Sequence, residues 1–157
     1  MDMLMKLYPA EPSPTAGLEG ITLRKPIAAE HDHVVAWVAT HFSAGWASEA
    51  RAALAAWPTR LFIAVHDGAA TLMGFCCWDA TARGFVGPIG VIAEARRKGV
   101  GAALLHACLV DMRTMGYAYA IAGHVGVPEF FRRAAGAIEI PDSTPGIYRG
   151  MLRTDGA

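Results

Sequence analysis

The sequence is poor in charge. Only 18% of its 157 residues are Asp, Glu, Lys or Arg, and 14 basic side chains balance 14 acidic ones. A dedicated nucleic-acid binder or a polybasic membrane binder needs a cationic face, so neither is expected. A local basic cluster is still compatible with that balance. Cysteine is scarce too. Cys76 and Cys77 are adjacent and Cys108 stands alone in an apolar run, an odd number with no metal-type Cys-x-x-Cys pair. This is not a disulfide framework; small core residues in a reducing compartment fit it better. No segment approaches the roughly 18–20 uninterrupted apolar residues of a membrane span. Met1 to Tyr8 carries Asp2, and Pro9, Pro12 and Pro14 interrupt any apolar leader region, so no signal peptide is expected. A cytoplasmic location is the expectation.

What is present is apolar. At 54% hydrophobic residues the chain is no disordered segment. A chain of this length buries about 70% of the surface its unfolded form exposes, enough for one core. Residues 1–19, with Pro9, Pro12 and Pro14, read as a flexible tail, and 20–157 as a single domain. Ile21–Arg24 alternates apolar and polar and predicts a strand. Ala28–Phe42 predicts a helix, with Val34, Val35, Trp37, Val38 and Phe42 near helical spacing. A second runs from about Ala47 to Trp57, with Ala47, Ala50, Leu54 and Trp57 on one face and Pro58 closing it.

Strands are expected over Arg60–His66, Thr71–Asp79 and Phe85–Ile92, an antiparallel meander because the connections are too short for a crossover. A helix from Arg97 to Met115 carries an apolar stripe of Leu104, Leu105, Cys108, Leu109, Met112 and Met115. Tyr117–Gly123 follows as a strand, parallel to the one before the helix. A short helix over Val127–Ala135 opens near Pro128 and ends at Gly136. Ala137–Ile140 and Ile147–Leu152 are the last predicted strands. The order is β-α-α-β-β-β-α-β-α-β-β, an α/β (α+β mixed-sheet) fold with helices on both faces.

The chemistry sits in Val91-Ile92-Ala93-Glu94-Ala95-Arg96-Arg97-Lys98-Gly99-Val100-Gly101-Ala102, between a strand and a helix N-terminus. Gly99 and Gly101 let a ligand approach the backbone. The unpaired N–H groups of a first helical turn and the helix dipole favour an anion, and Arg96, Arg97 and Lys98 add three positive charges. The plainer reading is a basic loop with glycine at a helix start. Two glycines there each cost the helix roughly 1 kcal/mol against alanine, which argues for another selection. Neither the Walker A pattern nor Gly-x-Gly-x-x-Gly is present.

Arg96-x-x-Gly99-x-Gly101 resembles the Arg/Gln-x-x-Gly-x-Gly/Ala signature of the GNAT superfamily of acyl-CoA-dependent N-acetyltransferases. Glu129-Phe130-Phe131-Arg132-Arg133-Ala134-Ala135-Gly136-Ala137 is similar to that family's Phe-Tyr-x-x-x-Gly-Phe segment with one residue inserted, and the element order from Ile21 to Leu152 is also similar. The resemblance implies a strand splayed from its parallel neighbour, with acetyl-CoA in the gap. Its pantetheine arm would pair with Ile89, Gly90 and Val91, and its pyrophosphate would lie on Arg96, Arg97, Lys98, Gly99, Val100, Gly101 and Ala102. No metal is implied. Gly87-Pro88-Ile89-Gly90 is itself a poor stretch for regular pairing.

The implied reaction is direct attack of a primary amine, of a small molecule or peptide, on the thioester through a tetrahedral intermediate. The Ile89 N–H is the expected oxyanion donor. Two positions depart from the family pattern. Phe131 stands where a tyrosine often acts as acid, leaving a cofactor contact at most, and Phe85 stands where some members carry a glutamate base.

His124 is the candidate base or cofactor contact, because imidazole ordinarily titrates nearest neutral pH. Asp79, Glu139 and Asp142 are expected as solvated charges. Tyr148 reaches the sulfur only if the last strand bends toward the gap. His31-x-His33 lacks a third metal ligand. Trp37, Phe42 and Trp46 line the acceptor side in the family, or simply pack. Pairing of the final strands across a homodimer rests on fold analogy. A non-catalytic acyl-CoA sensor and a plain phosphate-binding scaffold remain open alternatives.

Overall fold

A computed structural model describes residues 1–8 and 18–152. Among these, seven strands and four α-helices form two antiparallel sheets. The first sheet has the order β2-β3-β4-β5, from β2 (Ile21–Arg24), β3 (Leu61–His66), β4 (Thr71–Trp78) and β5 (Val86–Val91). The second has the order β6-β1-β7, from β6 (Tyr119–Ala122), β1 (Met3–Lys6) and β7 (Ile138–Glu139). The meander is antiparallel, as its short connections require.

The helices are α1 (His31–His41), α2 (Ala44–Ala55), α3 (Val100–Thr114) and α4 (Pro128–Ala135). Ser43 starts α2 by accepting the Trp46 N–H at 3.1 Å. Its inward face is Ala47, Ala50, Ala53 and Leu54; Trp57, expected on that face, lies past the helix end and is exposed. Helix α3 buries Val100, Ala103, Leu104, Leu105, Cys108 and Met112, whereas Met115 is exposed at its C-terminus. One core lies between α3, α4 and both sheets, with Met3, Met5, Trp78 and Leu104 at its centre. A smaller one lies under α1 and α2, around Val34, Val38, Leu54 and Phe75. The three cysteines are free and buried in these cores.

Two expectations about the ends of the chain fail. Residues 1–8 are not a tail: β1 is the middle strand of the second sheet, with Met3 opposite both Ala122 and Glu139. Met3, Met5 and Leu7 are buried, alternating with Leu4, Lys6 and Tyr8. The rest of the expected tail, 9–17, lies outside the described residues. The strand expected over Ile147–Leu152 does not form. Gly146–Tyr148 makes a turn of 3₁₀ helix instead.

Candidate active site

Among the described residues, the two sheets meet at one bridge. Phe85 and Ile121 form an isolated parallel bridge, and the Ile121 N–H donates to the Gly84 carbonyl at 2.9 Å. Past that point β5 and β6 pair with nothing between them, so the predicted parallel pair is a splay. The polarity of the open edge follows from the register. Gly74 faces Val91, Phe75 faces Gly90 and Cys76 faces Ile89, while the Ile92 N–H donates to the Met73 carbonyl at 3.0 Å. Antiparallel pairs alternate between bonded and non-bonded. The backbone groups of Gly90 therefore turn toward β4, and those of Ile89 and Val91 turn into the gap. Pro88, one residue earlier, has no N–H to offer.

The basic loop lies at the open end of this edge. The Arg96 Nε donates to the Val91 carbonyl at 3.0 Å, tying the loop to the strand. Gly99 is the N-cap of α3 at φ +80°, a left-handed conformation that glycine adopts without strain, and no side chain caps the helix. The N–H groups of Val100, Gly101 and Ala102 thus lack intrahelical acceptors. Arg96, Arg97 and Lys98 are all exposed around them. A β-carbon on Gly101 would make ordinary contact with the Phe130 ring at 3.4 Å and with Val91 at 3.6 Å, so α4 packs on α3 beside the loop here. Phe131, expected at the cofactor, points into the core, and Phe130 is the ring nearest the loop.

The other face of the edge is aromatic. A β-carbon on Gly90 would lie 2.5 Å from the Phe42 ring, so only glycine lets that ring rest on the strand. Phe42 stacks on Trp46 with centroids 5.3 Å apart and meets Trp37 edge-on at 5.7 Å.

A polar group gathers at the closed end of the splay. His124 follows β6 at φ +49°, exposed, with its backbone N–H donating to the Asp2 Oδ1 at 3.0 Å. Its ring centre lies 5.4 Å from that of Tyr148. The 3₁₀ turn carries Tyr148 back over β6: a β-carbon on Gly123 would lie 2.6 Å from the Tyr148 hydroxyl and 2.8 Å from the Phe85 ring. The Thr81 hydroxyl donates to the Glu49 carboxylate from α2. Burial, then the charges of Glu49 and Asp2, push the Tyr148 phenol above its ordinary range, with Thr81 acting in the opposite direction. Ile89 and His124, the two expected catalytic residues, therefore flank the same splay.

Sequence reasoning missed Asp2, Glu49 and Thr81. Asp2 was hidden by the tail reading. Glu49 is the one acid in an alanine-rich helix, which was a usable signal. Asp79 is not a solvated charge: its side chain is 5% exposed and accepts from the Gly84 N–H at 2.6 Å, with Tyr117 and Arg60 also on it. It braces the β4–β5 loop. Glu139 and Asp142 are exposed, as expected.

Comparison with known proteins agrees with this geometry. Residues 28–136 match the acetyltransferase (GNAT) family, and the chain belongs to that family. A GCN5-related N-acetyltransferase from Sphaerobacter thermophilus superposes with a TM-score of 0.70 at 23% identity, covering 87% of this chain and 47% of that one. The glucosamine N-acetyltransferase region of a fungal multi-domain GH3 β-N-acetylglucosaminidase also gives 0.70, at 14% identity over 85% of this chain and 19% of that one. A GCN5-related N-acetyltransferase from Kribbella flavida gives 0.56 at 17% identity, covering 87% and 52%. At these identities the likeness is one of fold. The chain spans about half or less of the length of these proteins. No curated protein sequence matches it. Among the described residues, no helix is long and apolar enough to cross a membrane, and no three His, Cys, Asp or Glu side chains group as metal ligands.

Proposed function

We propose that the protein is an N-acetyltransferase that moves the acetyl group of acetyl-CoA to a primary amine of a small molecule or peptide. The observation that carries this reading is the free edge of β5. It turns the Ile89 backbone groups and the Val91 N–H toward an extended ligand, the Val91 carbonyl being held by Arg96, and leads through the basic loop to the uncapped N-terminus of α3. A pantetheine arm has the spaced amides to pair with such an edge. The pyrophosphate would meet the N–H groups of Val100, Gly101 and Ala102, with Arg96, Arg97 and Lys98 supplying opposite charge.

In this reading the amine attacks the thioester carbon, and the Ile89 N–H bonds the oxyanion of the tetrahedral intermediate. His124 takes the proton the amine gives up. Family membership and the fold support acyl transfer; the acceptor and these roles are our inference.

The test is a calorimetric titration with acetyl-CoA, CoA and inorganic pyrophosphate, followed by thiol release with a panel of primary amines. Micromolar binding that needs the CoA moiety, plus amine-dependent thiol release, is the expected result. Binding without thiol release would make the protein a sensor. Equal affinity for pyrophosphate would leave only an anion site.

A further inference from the structure

If the site transfers acetyl groups, one part of the reaction has no owner. The thiolate leaving from CoA needs a proton, and Phe131 cannot give one. We infer that Tyr148 is the proton donor to the leaving sulfur, supplied from the 3₁₀ turn after β7. This rests on the reading above and adds a residue to it.

Three observations support the assignment. The first is position. The Tyr148 hydroxyl lies against Gly123, two residues beyond the last contact between the sheets, beside the Phe85 ring that opens β5. That is the closed end of the splay, on the face that α2 covers. The second is room: any side chain at residue 123 would collide with this hydroxyl at 2.6 Å. The third is the surroundings. Glu49 from α2, Asp2 from the start of β1 and His124 after β6 are the titratable groups about the ring, with Thr81 beside it. A phenol carries its proton at neutral pH in any case, and partial burial with the two carboxylates raises its titration further, so the proton is in place at this position.

The step balances. The amine nitrogen forms a bond to the thioester carbon, and the carbon–sulfur bond breaks with its electron pair going to sulfur. Sulfur takes the Tyr148 proton. The proton that the amine gave to His124 returns to the phenolate through solvent, the two rings lying against each other with centroids 5.4 Å apart. Glu49 and Thr81 act as positioning residues for the phenol.

Tyr148→Phe removes one oxygen and keeps the ring. The experiment measures acetyl-CoA affinity, thermal midpoint and thiol release, both in water alone and with primary amines, for the wild type and this variant. We expect unchanged affinity and midpoint, with thiol release reduced about 100-fold. Glu49→Gln should move the alkaline limb of the rate profile to lower pH, because it removes a charge that holds the phenol protonated. A purely structural Glu49 would leave that limb in place. Wild-type rates in Tyr148→Phe overturn the assignment. So does a wild type that binds acetyl-CoA yet releases no thiol in either assay. A wild type that does not bind acetyl-CoA overturns the acetyltransferase reading itself.

Discussion

Gly99 decides the shape of the basic loop. At φ +80° any side chain is strained by about 1–2 kcal/mol, and a carboxylate would also face the ligand's phosphates. Gly99→Glu should therefore abolish acetyl-CoA binding by calorimetry while the fold survives, since the nearest atom to a β-carbon there is Leu18 at 3.6 Å. Unchanged affinity would move the pyrophosphate elsewhere. Glycine was a legible signal at this position because the chemistry it permits is local: a left-handed cap and open N–H groups. At Gly90 and Gly123 the residue was equally visible, but its reason was not. Each makes room for a ring from a distant element, Phe42 or Phe85 with Tyr148, and no local pattern encodes that.

Single elements show the same division. Strong periodicity made α3 legible, and close spacing made the β3–β4–β5 meander legible. Strand β1 was missed although Met3, Met5 and Leu7 alternate cleanly, because the prolines after it suggested a tail for the whole stretch. Residues 146–148 form a 3₁₀ turn instead of opening a last strand. Met5 is fully buried between β6 and the helices. Met5→Ala should cost about 2–5 kcal/mol, with roughly 2–4 °C of melting temperature lost per kcal/mol. A true tail would show no change.

The link from β2 to α1 also has a pH signature. Arg24 grips both oxygens of Glu30 at 2.6 and 2.8 Å, and the Ile27 N–H adds a third bond at 2.9 Å. The guanidinium first, then that N–H, lower the Glu30 carboxyl from 4.5 to about 2. Its stabilisation is fully present above pH 4.5 and fades as pH falls toward 2. The wild-type melting temperature should lose an increment across that window that Glu30→Gln lacks at every pH. The increment is small because the pair is partly exposed, so the comparison is made at low salt.

At the scale of the molecule, the two sheets share a single bridge among the described residues, and α3 joins them by packing on β3, β4, β5 and β6. A ligand pairing with the inner edge of β5 would occupy the wedge this leaves. Binding to the folded state alone stabilises it by about 2.7 kcal/mol at a hundredfold excess over Kd. The added protection should be uneven. The amides of Ile89 and Val91 face the gap without a strand partner, whereas those of Gly90 and Ile92 bond to β4. In hydrogen exchange the first two should exchange quickly in the free protein and slow at least tenfold with acetyl-CoA, with the second two slow in both. Inorganic pyrophosphate, which reaches only the α3 N-terminus, should slow Val100, Gly101 and Ala102 and leave Ile89 fast. Equal protection of Ile89 by both ligands would mean that the wedge closes without a pantetheine arm in it, and the β5 edge would then be a hinge rather than a binding surface.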